Sequence, residues 1–241
     1  MSKFATIYGL LYGSDHRLHT RFLQSLYRFA PFDEVVFHFW CNTVCKQTQD
    51  LLRRYVRDGM PATYYFSEEN VKKYKLMRDL FHHTAQPDTP WIVWFDDDSY
   101  IDKGDWWSKT KAHITKTGDD CYYMGQPWYV HHLPGQWDFI RAASWFKNKP
   151  PELCPTRNKK VKKPGITFAQ GAYWWLRTDI MTMLDWPDPR LNHNGGDTLL
   201  GEAIRQQGLP LTKFHYGVAI NKAKRRGFHE KPAGSTVDAR R

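Results

Sequence analysis

Cysteine is scarce in this sequence, four residues among 241, and the four form no pairing pattern. Cys41 and Cys45 lie close together, Cys121 and Cys154 are isolated, and no second pair or histidine partner completes a zinc-ligand spacing. The set reads as four reduced thiols, which excludes a small disulfide-stapled scaffold. Long apolar runs are missing as well. Nothing approaches the ~18 consecutive apolar residues of a membrane-spanning helix. The first residues, MSKFATIYGLLYGSDHR, are interrupted by Gly9 and Gly13 and offer no small-residue cleavage site, so they read as a strand and its loop rather than a secretory leader. The expected compartment is the cytoplasm, with no membrane partner.

Acidic residues are the third shortage. Against 35 Lys and Arg there are 25 Asp and Glu, a formal charge of +10 and a pI near 9.4. The surplus points to a polyanionic partner or to a solvated basic surface. Its distribution is uneven. Between Arg141 and Lys163 eight basic residues face one acid, Glu152, and Lys222, Lys224, Arg225 and Arg226 form a second cluster. Aromatic residues are abundant, with 11 Trp, 13 Tyr and 14 Phe, which suits stacking on sugars or bases as well as core packing.

The periodicity alternates between strand and helix through the first hundred residues. Strands are expected at 3–11, 35–40, 63–66 and 91–95, with helices at 19–29, 47–58 and 70–84, the pattern of an open α/β sheet. A helix over 105–116 and a strand over 121–124 follow. From Gln126 to Lys163 the sequence is rich in Pro, Trp, His and Lys without a sustained period, the mark of a long functional loop. Strands at 168–176 and 212–218 and helices at 178–184 and 197–207 complete the pattern, and a basic tail ends it.

The sharpest local signal is Trp91-Ile-Val-Trp-Phe-Asp96-Asp97-Asp98. Three adjacent carboxylates repel one another, and at the C-terminal end of a buried strand they ask for a cation or a ligand rich in hydrogen bonds. Ligands of open α/β sheets bind at that edge, and oxygen-only ligation suits Mg²⁺ or Mn²⁺ bridged to phosphates. An exposed acidic turn is the plain alternative.

An apolar strand closed by Asp-x-Asp resembles the metal and nucleotide-sugar site of GT-A fold glycosyltransferases. Two further motifs follow in the same order as in the fringe-like members. Phe168-Ala-Gln-Gly171-Ala172-Tyr-Trp-Trp is similar to their Gly-Gly-Ala-type strand, and His193-Asn-Gly-Gly-Asp197 to their acidic loop and following helix. The resemblance covers Lys3 to His229. It implies a single GT-A domain over 1–241, a mixed α/β sheet flanked by helices, with a nucleotide-sugar half over 1–104, an acceptor insert near 125–165 and a basic tail over 219–241. It implies a monomeric, metal-dependent transferase using a nucleotide-diphosphate sugar, a UDP-sugar, and Mn²⁺ or Mg²⁺.

The same resemblance distributes the roles. Asp98 is the direct metal ligand, Asp96 contacts the metal, ribose or transferred sugar, and Asp97 takes either part. A histidine of the C-terminal region, His229 in preference to His215, adds a nitrogen ligand. Asp197 is the general base, which implies inversion at the anomeric carbon, although a residue opening a helix also serves as an N-cap. Tyr8 and Arg17 of the first loop hold the base and ribose, Lys75 and Arg78 reach the nucleotide from a helix face, and Gly171 and Ala172 line the site. Glu202 is expected to be solvated or salt-bridged.

The shortage of export signals turns the acceptor reading toward an anionic polymer. The outline is similar to glycosyltransferases that modify phage DNA and to base J glucosyltransferase. DNA with a hydroxymethylated pyrimidine is the expected acceptor, gripped by Lys159, Lys160, Lys162, Lys163, Arg225 and Arg226, with Trp128, Trp137 and Trp145 available to stack or wedge and Trp137 supporting a flipped base. A glycan or lipid-linked acceptor is the alternative, and a nucleic-acid-binding protein without catalysis is the reading of another class.

Overall fold

The computed structural model describes residues 2–131, 136–156, 160–193 and 195–220. Strand β1 (Ala5–Tyr12) leads to helix α1 (His16–Phe29), then β2 (Val35–Asn42), α2 (Lys46–Arg57) and β3 (Ala62–Ser67). Helix α3 (Lys73–Asp79), prolonged by a π-helical turn over Leu80–Thr84, precedes β4 (Trp91–Asp96), the short β5 (Tyr100–Ile101) and α4 (Trp106–Thr117). The second half holds β6 (Tyr123–His131), α5 (Gln136–Arg141), β7 (Glu152–Pro155), β8 (Lys162–Arg177), α6 (Thr178–Leu184), α7 (Gly196–Gln207), β9 (Leu211–Lys213) and β10 (Val218–Ala219).

The main sheet runs β3-β2-β1-β4-β8-β6-β9, with β7 added on β8. The first four strands are mutually parallel, and β8 lies antiparallel to both β4 and β6. Parallel strands covered on both faces read as continuous apolar runs, and β4 does: Trp91 through Phe95 are all buried. Residues 92 and 94 face α3, α6 and α7, where Trp94 stacks on Trp174 of β8 at 6.1 Å and 14°. Residues 93 and 95 face the other core, built on Phe22, Phe37, Phe39 and Trp106. Helix α1 docks there through Phe22, Leu23 and Leu26, the 3–4 spacing of an amphipathic helix. Asp15 caps it by accepting from the Leu18 N–H at 3.2 Å.

The stretch read as an aperiodic loop carries strand at both ends and a short helix, α5, within it. β6 runs on to His131, and β8 is 16 residues long, with β7 on its outer edge. The alternation was hidden by prolines that sit where a ladder tolerates them. Pro127 lies at a register break, where Gly125 pairs with Trp174 and Pro127 with Ala169, and Pro164 lies opposite Leu153. The late strand expected over 212–218 is instead two, β9 and β10, separated by a turn with Gly217 at φ 72°. β10 pairs with β5, away from the main sheet.

Candidate active site

Strand alternation separates the acids. Asp96 ends β4 on the same face as Trp94, whose indole N–H donates to Asp96 Oδ1 at 2.9 Å. Its other oxygen, Oδ2, accepts from the ammonium of Lys73 at 2.7 Å. Lys73 opens α3. Its Nζ also donates to the Gly171 carbonyl at 3.1 Å and lies 5.6 Å from the Trp94 ring centroid and 5.8 Å from that of Tyr74. The Gly171 carbonyl is available because β8 bulges there: between its pairings with Gly125 and Pro127 of β6, residues 170–173 of β8 find no partner on that strand.

The Asp197 loop closes on the same point. α7 begins after Gly195, which occupies the cap position in a left-handed conformation, and Asp197 lies in the first turn. Asp197 is thus not the N-cap. Its backbone N–H donates to the Tyr74 hydroxyl at 2.9 Å. That approach requires Gly196, where a Cβ would lie 2.2 Å from the Tyr74 ring. Gly171 faces the carboxylate itself: a Cβ there would lie 2.8 Å from Asp197 Oδ2. Burial raises the Asp197 carboxyl above its ordinary range; Lys73 and the Thr198 N–H pull it back, and Asp96 adds to the rise.

Asp97 faces the opposite way. It is buried, and its Oδ2 accepts from the Tyr12 N–H at 2.7 Å and from His19 Nε2 at 3.0 Å. Its expected contact with nucleotide or metal is therefore corrected: the side chain is enclosed by the fold. The turn closes with the Ser99 N–H on the Asp96 carbonyl at 3.0 Å, leaving half-buried Asp98 in its second central position. Among the described residues no three His, Cys, Asp or Glu side chains converge into a metal cage. The donor set still fits Mg²⁺ or Mn²⁺, because such ions are commonly held by one or two carboxylates plus substrate phosphates. β10 pairs Ala219 with Tyr100, so Ile220, the last described residue, continues toward the acid turn. His229, Arg225 and Arg226 lie outside the described residues. His215 lies between β9 and β10, its imidazole pushed down by burial and by Lys213.

Several expected contacts are not brought to this point. Tyr8 is fully buried, its hydroxyl donating to the Ala85 carbonyl at 2.5 Å and its ring packed on Phe81, so it offers no face to a base. Arg78 clamps the chain after α6, donating to the carbonyls of Asp185 and Pro187 and to the Asp185 carboxylate. Lys75 and Arg17 are exposed on α3 and α1. Ala172 packs into the core on the α1 face, while neighbouring Gly171 lies at the acids. Glu202 is wholly buried rather than solvated, and Arg205 pairs with it at 2.6 Å. Trp145 is buried, which corrects it as a stacking or wedging group, and half-buried Trp137 packs edge-on against Phe146; Trp128 and Tyr129 are the exposed aromatics of this region. Lys160, Lys162 and Lys163 are exposed, and Lys159 lies outside the described residues. Sequence reasoning missed Lys73 and Tyr74. The signal was present in Lys72-Lys73-Tyr74-Lys75, but which lysine faces the acids depends on where α3 starts.

The sequence pattern of glycosyl transferase family 2 matches residues 45–183. No curated protein matches the sequence. Among solved structures, the mannosyltransferase PcManGT from Pyrobaculum calidifontis, in complex with GDP-Man and Mn²⁺, superposes with a TM-score of 0.62 at 13% identity over 95% of this chain and 59% of its own. TarS 1–349 from S. aureus in complex with UDP-GlcNAc gives 0.60 at 15% identity over 95% of this chain and 61% of its own. GalNAc-T7 with UDP, GalNAc and Mn²⁺ gives 0.61 at 10% identity, covering 87% of this chain and 41% of the other. This chain spans about three-fifths of the length of the first two. At these identities the likeness establishes the fold, a GT-A-like mixed sheet flanked by helices. It does not extend to the fringe-like branch or to a DNA-modifying kinship.

Proposed function

The chain belongs to glycosyl transferase family 2, and from that premise we propose that it moves a sugar from a nucleotide-diphosphate sugar, a UDP-sugar, to an acceptor hydroxyl with inversion. The observation that carries the reading is the convergence of Asp96, Lys73, Gly171 and Asp197, which joins three motifs far apart in sequence. The matched structures named above contain UDP or sugar nucleotides, two of them with Mn²⁺.

In this reading Asp98 holds the cation, with Asp96 beside it fixed by Trp94 and Lys73. Bound Mn²⁺ or Mg²⁺ would supply charge neutralisation on the leaving diphosphate. Lys73 adds a fixed positive charge at the same edge. Asp197 removes the acceptor proton; its raised carboxyl is a stronger base than an ordinary aspartate, and direct displacement inverts the anomeric centre. His229 follows nine residues after Ile220 along a segment that starts toward the acid turn, which supports it over His215 as the additional ligand.

The acceptor in this reading is DNA bearing a hydroxymethylated pyrimidine. The net charge of +10 supports it, as do the exposed Lys160, Lys162 and Lys163 at and just before the start of β8 and the exposed Trp128 and Tyr129 of neighbouring β6. The test incubates the protein with Mn²⁺, a panel of UDP- and GDP-sugars, and duplexes with and without the modified base, followed by mass spectrometry. Sugar on the modified duplex is expected, with an acceptor constant that weakens by roughly 0.9 log unit per log salt for each phosphate contact. Donor turnover with a salt-independent constant moves the acceptor to a glycan or lipid-linked hydroxyl. Absence of donor hydrolysis or transfer overturns the enzyme reading.

A further inference from the structure

A second polar network lies on the opposite face of β4 from Lys73 and Asp197. Its centre is His19 of α1, which is wholly buried. His19 Nε2 lies 3.0 Å from Asp97 Oδ2 and 3.2 Å from the Tyr12 carbonyl, while Nδ1 lies 2.9 Å from Thr48 Oγ1 on α2. Thr48 is also wholly buried and lies 3.2 Å from His16 Nδ1, and His16 Nε2 lies 3.3 Å from Thr20 Oγ1. One proton arrangement satisfies every contact. Thr20 donates to His16, His16 to Thr48, Thr48 to His19 Nδ1, and His19 Nε2–H is shared between Asp97 and the Tyr12 carbonyl. The same Asp97 oxygen accepts the Tyr12 N–H, so one carboxylate ties the end of β1 to the turn after β4.

A hydrophobic core does not need this network. A buried carboxylate costs stability unless it is fully bonded, and this one is bonded to groups from β1 and α1, with α2 behind. Its position explains why it is there. Asp97 is the residue between Asp96 and Asp98, so holding its side chain on the α1 face fixes the backbone that carries both neighbours. Tyr12 is the last residue of β1, at the start of the first loop.

We propose that His19 is a positioning residue for donor binding: by holding Asp97 it locks the acid turn to the end of β1, so that the backbone carrying the cation-binding carboxylates is set by one buried imidazole. This rests on the transferase reading above. It assigns to an α1 histidine a part in nucleotide and cation affinity, without contact with either.

The test measures Mn²⁺-dependent binding of UDP and GDP by titration calorimetry, Mn²⁺ affinity by electron paramagnetic resonance, and melting temperature. The variants are His19→Leu, His19→Gln and Asp97→Asn in the full chain. His19→Leu is expected to weaken the Mn²⁺–nucleotide complex by about 10- to 100-fold, the usual effect of removing a group that orients a ligand. His19→Gln, whose amide still donates to Asp97, is expected to recover most of that loss. A His19→Leu protein that melts lower yet binds Mn²⁺ and nucleotide as the parent does has only a structural histidine, and the proposal falls. If His19→Leu does not fold, the other two variants decide: parent-like binding by His19→Gln with weakened binding by Asp97→Asn supports it, and parent-like binding by both overturns it. A parent protein that binds neither nucleotide with Mn²⁺ overturns the transferase reading itself, and this proposal with it.

Discussion

The Lys73 ammonium lies 2.7 Å from Asp96 Oδ2, with its side chain 13% exposed and that of Asp96 27% exposed. The pair is sheltered enough for its geometry to be fixed and open enough to meet a ligand. A second bond, to the Gly171 carbonyl, makes Lys73 the pin between α3, the end of β4 and the bulge of β8. One cation thus joins the start of α3 to the acid-bearing end of β4 and to the bulge that faces the candidate base.

Replacing Lys73 with Met keeps the apolar stem against Trp94 and Tyr74 and removes the charge. Transfer is expected to fall about 10- to 100-fold, the range seen when a group that orients a ligand is lost. Lys73→Arg is expected to recover little, since a planar fork does not reproduce a compact ammonium bonded to a carboxylate and a carbonyl at once. Initial rates at saturating donor and acceptor measure both; a Met variant within threefold of the parent would remove Lys73 from the site.

Gly171 tests the closeness of the bulge to the base. A methyl group at this position would lie 2.8 Å from Asp197 Oδ2 and 3.0 Å from its Cβ and Cγ, so the carboxylate must move. Gly171→Ala is expected to lower kcat by about 10²-fold, the effect of misplacing a reacting group by an ångström, while nucleotide binding changes little. Parallel measurement of kcat and of UDP affinity separates displacement of the base from collapse of the donor site.

How much of this could be read beforehand follows from where each residue gets its position. The acid turn and the Gly-Gly-Asp197 start of α7 were legible because both are local: an apolar strand ending in acids, and glycines before a helix. Lys73 was not. It is chosen over Lys72 and Lys75 by the phase of α3, which begins after Lys72. Tyr8 looked like a ligand contact from its nearness to the first loop, yet alternation along β1 turns it into the core covered by Phe81. Trp137 looked free in an aperiodic stretch and is instead packed on Phe146. His19 gave no sequence signal, since its partner Asp97 lies 78 residues away.

Glu202 gives a stability test independent of catalysis. Its carboxylate is wholly buried and accepts from Arg205 at 2.6 and 2.8 Å and from Gln206 at 2.7 Å. Arg205→Ala leaves that charge buried with one neutral partner, and unfolding stability is expected to drop by about 3 kcal/mol. Adding Glu202→Leu should restore much of the loss, because the uncompensated carboxylate goes too. Urea unfolding of the parent, the two single variants and the double variant gives the coupling; additive losses would show that the pair is not coupled.

The final prediction concerns pH and Asp197. A base acts only when deprotonated, so turnover rises with pH through its pKa. Burial places that pKa above the ordinary aspartate range, and the acid limb of kcat is therefore expected above the pH where a solvated aspartate would titrate. Lys73 holds the value down, so Lys73→Met should move the limb further up while lowering its plateau. Asp197→Asn should remove the limb altogether and reduce kcat by roughly 10²–10⁴, the loss typical of a missing general base, with UDP affinity near that of the parent. The three kcat–pH profiles, taken at saturating donor with Mn²⁺, check this. A limb that persists in Asp197→Asn belongs to another group, and a limb that Lys73→Met leaves in place means the ammonium does not act on the Asp197 carboxylate.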